Sequence, residues 1–450
     1  MKRATVKIQL SDHFTYQRLL RFVLPSIFMM LFTSIYGVVD GLFVSNFAGK
    51  TAFAAVNLIM PFPMLFGAVG FMLGTGGCAI VATTLGQGFR EKANRCFSLI
   101  VLTTIVSGLL LSLLGFFMMP AIARLFGAEG QILEYCILYG RILFASLTMF
   151  MVQNLFQTFL VTAQKPTLGL IITVAAGLTN IILDFLFVGV LQWGIAGAGI
   201  ATAISQIVGG LFPLVYFARP NTSLLRLTKP AKELSILIKT CTNGSSELMT
   251  NVSLSLVNIL YNYQLMRIAG EDGIAAYGVI MYVNFIFMAV FIGYAVGCAP
   301  VVSYHYGAGN LPELKNLFQK SLLLMGISGI TMTALAIGLA GLLARIFVSY
   351  DTALMELTRH GFAVYSIAFM FMGINVLASA FFTALGNGLI SALISFLRTL
   401  LFQVAAVLLL PQWLGIDGIW LAITAALGRI ALCHDMVSQF NLFHDAFFMS

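Results

Sequence analysis

Long apolar runs, each about the length of a membrane crossing, follow one another along almost the whole chain and are broken by short polar turns. About 20 apolar residues span the hydrocarbon core of a bilayer as an α-helix. Such runs fall near residues 22–44, 53–82, 97–119, 136–161, 167–190, 195–217, 243–266, 274–301, 318–343, 361–384, 389–410 and 416–433. The breaks carry turn chemistry, as in Gly86-Gln87-Gly88, Gln164-Lys165-Pro166, Arg219-Pro220-Asn221 and Gly386-Asn387-Gly388, where Gly and Pro punctuate a helical pattern. The pattern predicts an all-α polytopic membrane protein of twelve transmembrane helices. The basic start runs into 22–44 with no small-x-small cleavage site close behind. That first run is therefore expected to be a retained helix and not a signal peptide.

The chain also repeats itself at a fixed offset of 221. Ala48-Gly49 maps to Ala269-Gly270, Ile59-Met60 to Ile280-Met281, and Gly86-x-Gly88 to Gly307-x-Gly309. Further on, Ala123-Arg124-x-Phe126 maps to Ala344-Arg345-x-Phe347, Asn154 to Asn375, and Gly194-Ile195-x-Gly197 to Gly415-Ile416-x-Gly418. No gap is needed from about 48 to 201. The reading is two six-helix lobes, 1–221 and 222–450, joined by a basic loop over 218–240. Six is even, so both lobes enter the membrane in the same sense. They should be related by a pseudo-two-fold axis along the membrane normal, as in many transporters.

Composition agrees. Of 450 residues, 60% are hydrophobic and 9% charged, and the mean hydropathy is +0.98, whereas a soluble domain carries roughly 25% charged residues. The net charge of +8 would suit nucleic acid only if it sat on a soluble basic module, and none is present. Seventeen of the 24 Lys and Arg fall in loops and tails on one side, including Lys2, Arg3, Lys7, Arg18, Arg21, Arg90, Lys92, Arg95 and the 219–239 group. Six fall on the other side (Lys50, Arg124, Arg141, Arg267, Arg345 and Arg359), and Arg398 lies inside a run. By the positive-inside rule both termini are expected in the cytoplasm. The six cysteines (Cys78, Cys96, Cys136, Cys241, Cys298 and Cys433) are isolated and read as packing residues. His13, His305, His360, His434 and His444 form no metal motif, and no nucleophile elbow or P-loop occurs. An enzyme is not expected, nor any cofactor.

An ionisable group within a span costs at least about 2.5–3.5 kcal/mol on insertion scales. Asp40 lies near the outer end of the first run and Asp184 in the outer part of the fifth. Asn180 and Asp184 are four apart and share a helical face. Counting rise per residue brings Thr202 to a similar depth. Their equivalents at the repeat offset are Tyr261, Leu401, Ala405 and Ile423: the scaffold was duplicated, the carboxylates were not. Two desolvated carboxylates close together can share a proton or take Na⁺ on their oxygens. The set is expected to bind a coupling ion, H⁺ or Na⁺, with Na⁺ held by Asp40, Asn180 and Asp184; the competing reading is a polar knot that locks helix packing. Gln153, Gln157, Glu247, Asn258, Tyr261, Asn284 and Arg398 are candidates for a substrate cavity. Each has a plainer reading where one is evident. Gln153, Asn154 and Gln157 can bond between helices, Glu247 can complement a helix dipole in the first turn after Asn243-Gly-Ser-Ser, and Arg398 can snorkel to the interface. Most of the 39 Phe and 21 Met face lipid or pack.

On these residues the sequence resembles the MATE (multidrug and toxic compound extrusion) family of bacterial transporters. The likeness rests on Leu24-Pro25, Val39-Asp40-Gly41-Leu42-Phe43-Val44, Gly74-Thr75-Gly76-Gly77, Leu85-Gly86-Gln87-Gly88, Thr179-Asn180 with Asp184, and Gly194 to Thr202. In the second half it rests on Ser303-Tyr304-His305-Tyr306-Gly307-Ala308-Gly309-Asn310. The resemblance implies a central cavity, rocker-like alternating access, and export of cationic or amphiphilic compounds against inward H⁺ or Na⁺. It implies that Asp40, Asn180, Asp184 and Thr202 form the first-lobe cation site, joined by Asn154. A second-lobe site would need a carboxylate in the tenth run, which has none. The expectation is a secondary active multidrug efflux antiporter of the bacterial cytoplasmic membrane, acting as a monomer on small organic substrates, with lipid and no nucleic acid as partner. The alternatives are a lipid-linked oligosaccharide flippase of the same superfamily and a non-transporting membrane receptor or scaffold.

Overall fold

The computed structural model describes residues 8–349 and 351–431. Lys2, Arg3, Lys7, Cys433, His434 and His444 lie outside the described residues. The helices are α1 Tyr16–Phe43, α2 Thr51–Gly86, α3 Arg90–Leu125, α4 Gly130–Thr162, α5 Pro166–Val190 and α6 Gly194–Ala218. A helical run over Leu234–Gly307 is broken at Gly270 (φ 63°, ψ −149°) into α7, 234–269, and α8, 271–307. Then come α9 Leu311–Val348, α10 Thr352–Ala384 and α11 Gly388–Leu414, and α12 Ile416–Ala431. These are the twelve helices the apolar pattern predicts, and among the described residues there is no strand. Hydrocarbon offers no partner to a free N–H or C=O, so each crossing satisfies its own backbone as a helix. On α3 the stripe Leu102, Val106, Leu109, Leu113 and Phe117 is exposed, the spacing of one helical face turned to lipid.

The helices are longer than the apolar runs, and this changes several assignments. α3 covers 36 residues, about 54 Å at 1.5 Å per residue, so Arg90, Lys92 and Arg95 stand on its first turns and not in a loop. α7 begins at Leu234, which shortens the linker between repeats from 218–240 to 219–233. Asn243-Gly244-Ser245-Ser246 is therefore not a helix start. It is a stretch of small and polar residues in mid-helix that lets other chain segments approach: Asn243 Nδ2 donates to Thr383 O at 2.9 Å. Glu247, expected in a first turn, is more than three turns inside α7, and the dipole explanation for it falls. Arg141, counted with the outer loops, lies in α4 with its guanidinium over the Phe116 ring, 5.2 Å from the centroid. Arg267 is likewise on α7.

The chain resolves into two compact units. Among the described residues, the first holds 8–252 with Met288–Lys320 and Ser379–Leu393; the second holds Ser253–Phe287, Ser321–Ala378 and 394–431. In the first, α4 is the central helix and packs on α2, α3 and α6, while α5 packs on α1 and α6. Phe97, Phe156, Phe159 and Phe217 interlock in its core with ring centroids 4.9–6.3 Å apart. In the second, α12 packs on α10 and α11, and Trp420 is fully buried against Gly361, where a Cβ would lie 2.8 Å from the indole.

The repeat is visible in the first unit as contacts that are images of one another. A Cβ on Gly86 would lie 2.0 Å from Tyr304 O, and one on Gly307 would lie 2.0 Å from Thr83 O. At the offset of 221, Gly86 maps to Gly307 and Thr83 to Tyr304, so this crossing of α2 and α8 maps onto itself. The same holds one layer deeper. Gly76 approaches Thr240 O and Gly244 N, while Gly297 approaches Val23, and 76 maps to 297 as 23 maps to 244. Helices in membranes associate through small residues that bring backbones together, and here the small residues sit at both copies of each contact.

An added methyl has nowhere to go at this crossing, because the neighbour is backbone. Gly86→Ala and Gly307→Ala should each destabilise the detergent-purified protein by about 1–3 kcal/mol, read as a lower melting temperature. Gly326→Ala on α9, where a Cβ would meet nothing within 4 Å, should not. Equal melting temperatures for all three would refute the close crossing.

Candidate functional site

α1, α5 and α6 meet through small residues, and this brings their polar side chains together. Gly177 on α5 admits the rings of Phe32 and Tyr36 from α1, which would sit 2.5 and 2.8 Å from a Cβ there. Ser205 of α6 donates to Ala176 O of α5 at 2.9 Å. The helices also change pitch beside the site. α1 passes into a π-helical segment over Val44–Ala48, one turn after Asp40, and α5 does so over Phe185–Val190, directly after Asp184. Such wide turns recur at functional sites in helices, since they re-aim the side chains around them.

The result is a cluster in the first unit. The Asp40 carboxyl stands against the side chains of Asp184, Asn180 and Thr202. Asp40, Asn180 and Asp184 are 7%, 1% and 0% exposed. Six atoms there are buried and close no hydrogen bond of normal geometry: Asp40 Oδ1, both Asp184 carboxylate oxygens, both Asn180 amide atoms and Thr202 Oγ1. An unpaired buried polar group costs about 1–3 kcal/mol, and more if charged. Packing knots are built the other way, with every donor answered by an acceptor. The donors at hand are the Asn180 amide and the Thr202 hydroxyl, set against two carboxyl groups and an amide oxygen, and acceptors left over in this way are what a shared proton or a hard monovalent cation satisfies.

Two tyrosines complete the surroundings and carried no signal as isolated letters in the sequence. Tyr36, one turn before Asp40 on α1, lies beside the Gln153 side chain and near Asp40. The Tyr139 hydroxyl of α4 is buried without a partner, within electrostatic reach of both Asp40 and Asp184. The four-residue step from Tyr36 to Asp40 was the available clue to the first; nothing in the sequence pointed to the second.

Of the remaining candidates, Gln153 thus touches the cluster through Tyr36, and its amide also fills the space that a Cβ on Gly209 would take. Asn154 and Gln157 are buried on α4. Asn154 Nδ2 is without a partner, so it makes no hydrogen bond to either carboxylate. Glu247 is half-buried in the first unit. Asn258, Tyr261, Asn284 and Arg398 lie in the second unit. Tyr261, the repeat image of Asp40, is 1% exposed. Its ring stacks on Tyr277 at 5.0 Å, and Gln403 Nε2 lies 3.5 Å from its hydroxyl. Tyr277 in turn donates to Asn258 Oδ1 at 3.0 Å. Where one repeat has carboxylates, the other has stacked phenols and amides. Asn284 Oδ1 is buried without a partner, and Arg398 Nε donates to its neighbour Thr399 Oγ1 at 3.3 Å.

The chain is similar to known proteins in both sequence and fold. The MatE family profile matches residues 25–186 and again 248–408, one match in each repeat. The multidrug export protein MepA of Staphylococcus saprophyticus is 24% identical over 83% of this chain and 82% of its own length. MepA of Staphylococcus haemolyticus is also 24% identical, with the same coverage. Among solved structures, an outward-facing multidrug resistance MATE transporter of the MOP superfamily superposes with a TM-score of 0.91 at 22% identity, covering 97% of this chain and 98% of that one. A MOP superfamily transporter from Pyrococcus furiosus, whose binding pocket has reversed polarity suggesting a different function, gives 0.87 at 22% identity over 94% of each chain.

A site kept for an ion and a knot kept for packing respond oppositely to an apolar replacement. Asp184→Leu removes two unsatisfied oxygens facing another carboxyl, so in Na⁺-free buffer its melting temperature should equal or exceed that of the unaltered protein. The gain expected is roughly 2–4 °C for each kcal/mol. A fall of several degrees would mean that the carboxylate holds the helices together.

Proposed function

The chain belongs to the MatE family, and we propose that it is a secondary active exporter of cationic or amphiphilic drug-like compounds, driven by inward H⁺ or Na⁺. The family and its twelve-helix fold make it a multi-pass membrane transporter and not an enzyme. The observation that carries the proposal is the cluster of unsatisfied oxygens at Asp40, Asn180, Asp184 and Thr202 in one repeat only. The names of its relatives, multidrug export proteins, support the substrate class.

In this reading the ion does its work by changing the charge buried between α1, α5 and α6. A carboxylate pair that has lost its proton or Na⁺ carries repulsion that α1, through Asp40, can relieve by shifting. A ligand moves a two-state equilibrium only by the difference in its affinity for the two states, and a site whose oxygens depend on the ion has such a difference. Alternating access further requires the α2–α8 crossing to open. The backbone contacts there are glycine against carbonyl, and the Tyr304 side chain packs on the core cluster that includes Val81 and Leu85 of α2. The chain would act as a monomer in the cytoplasmic membrane of a bacterium, both termini inside, a topology supported by the seventeen Lys and Arg on that side.

Everted vesicles carrying the protein should release an imposed ΔpH or Na⁺ gradient when a lipophilic cation such as ethidium is added. Asp184→Asn and Asp40→Asn should each slow coupled release and export at least about 100-fold, the effect of losing roughly 3 kcal/mol. Export that persists in both variants would remove the cluster from the mechanism. Collapsing the proton gradient and omitting Na⁺ in separate runs identifies the ion.

A further inference from the structure

The two repeats diverge at a second place, where the chain enters each helix pair. Ahead of α1 the segment from Leu10 to Thr15 is docked on the start of α9, with Leu10 and Phe14 fully buried. Glu313 Oε1 accepts the Phe14 N–H at 2.9 Å, and its Oε2 lies 2.5 Å from His13 Nδ1. Asn316 Nδ2 and Lys320 Nζ donate to Phe14 O at 3.1 and 2.7 Å. The side chain of Phe14 meets Phe22 and His305 edge-on.

The repeat image of this dock is the start of α3 under the inter-repeat linker. There Glu313, Asn316 and Lys320 are replaced by Lys92, Arg95 and Leu99, and Phe14 by Ser235, which is exposed. The linker still docks: Ala231 N donates to Arg95 O at 3.0 Å, Arg226 N to Asn94 Oδ1 at 3.0 Å, and Thr228 N to Ser98 Oγ at 2.8 Å. Arg90 holds the linker by the carbonyls of Ser223 and Leu224. No aromatic side chain from the linker fills the space. A cavity of about 580 Å³ lies between them, lined by Arg90, Lys92 and Arg95 against Glu91 and Glu233. Among the described residues the ion pairs are His13–Glu313, Arg359–Glu356 and His360–Asp417, so none of the three cations is locked in a close ion pair, and against Glu91 and Glu233 they leave the lining with an excess of positive charge. Arg226, Lys229 and Lys232 are exposed on the linker that carries Ala231 and Glu233, and Lys239 is exposed on the second turn of α7. Phe89 and Ile236 supply the larger apolar side chains of the lining, and Phe89, Leu234 and Ile238, the last two flanking Ile236 on α7, are all more than half exposed.

We propose that this cavity binds the headgroup of an anionic phospholipid, with Lys92 and Arg95 on the phosphate and these apolar side chains against the acyl chains. A dock that takes a peptide in one repeat has had its acid exchanged for a base in the other and its plug removed, which leaves a basic pocket at the membrane surface. Basic pockets between helices at this level suit lipid phosphates, and the apolar side chains select a lipid over a free anion. The proposal is independent of transport; it needs only that the chain spans a membrane.

The test uses the full-length protein purified in detergent and supplied with phosphatidylglycerol, phosphatidylethanolamine or inorganic phosphate. Native mass spectrometry should find phosphatidylglycerol retained over phosphatidylethanolamine, and it should raise the melting temperature. Lys92→Ala with Arg95→Ala should cut that retention about tenfold or more, at roughly 1 kcal/mol per basic residue. Lys92→Glu, which restores the charge of the other repeat, should do the same and guards against a folding defect in the double variant. Equal retention of both lipids, undiminished phosphatidylglycerol binding in both variants, or stabilisation by inorganic phosphate alone would each overturn the proposal.

Discussion

Hydrocarbon supplies no hydrogen-bond partners, and the architecture follows from that. Each crossing must spend its backbone on itself, so the elements are helices, and what varies along them is side-chain size and polarity. With lipid as apolar as leucine, burial of apolar surface gives little reason for one helix to choose another. Small residues do so instead. Gly177 brings α1 onto α5, Ser205 ties α6 to α5, and Gly86 with Gly307 brings two backbones together. The same constraint makes every polar atom inside the bundle answerable. Most are answered, often by a carbonyl one turn back, as for Thr75, Thr103 and Thr104. The atoms at Asp40, Asn180, Asp184 and Thr202 are not, and they stand together.

Internal duplication gives this molecule its own control. Two copies of one six-helix pattern have faced the same solvent and the same packing demands, so a feature present in both belongs to the scaffold. The crossing glycines are of this kind, as are the left-handed glycines at Gly49 and Gly270 and at Gly194 and Gly415. A feature present in one copy has been kept or lost for another reason. The carboxylate cluster is such a feature: at the image of Asp40 stands Tyr261, stacked on Tyr277 and with Gln403 Nε2 beside its hydroxyl. The basic cavity at Lys92 and Arg95 is another, opposite the acidic dock of Glu313. One divergence lies within the bundle, the other at a charged helix start, and neither needs the other.

Much of this was legible in the letters because membrane burial writes a coarse code. Twelve apolar runs became twelve helices, and the fixed offset anticipated which contacts would be images. Asp40, Asn180, Asp184 and Thr202 could be brought to one depth by counting rise per residue. Helix ends were not legible, because polar residues at the surface of a membrane continue a helix as readily as they stop one. Asn243-Gly-Ser-Ser read as a start, yet those residues are small and polar for the sake of close approach, and Glu247 moved with that misreading. Tyr36 and Tyr139 were invisible for a different reason. A tyrosine in an apolar run is ordinary, and only the packing of α1 on α5 and the centrality of α4 bring these two hydroxyls to the carboxylates.

The geometry also bears on why such a cluster should be left unsatisfied. Had protein donors filled every acceptor at Asp40 and Asp184, an arriving ion would displace bonds of comparable strength and change little. Unfilled, the oxygens make the protein alone less stable, and on the proposed reading a bound ion would remove that cost and leave the difference available to shift a conformational equilibrium. Moving such an equilibrium from one side to the other takes about 5 kcal/mol, within reach of two carboxylates whose repulsion in a buried site is relieved or restored by one ion. Tyr139 and Tyr36 set the limit on that instability, since each brings a hydroxyl near without closing the site. A cluster built from carboxylates at the edge of balance, beside two π-helical turns that can absorb a change of pitch, is an arrangement in which gaining or losing one positive charge is felt by the helix that carries Asp40.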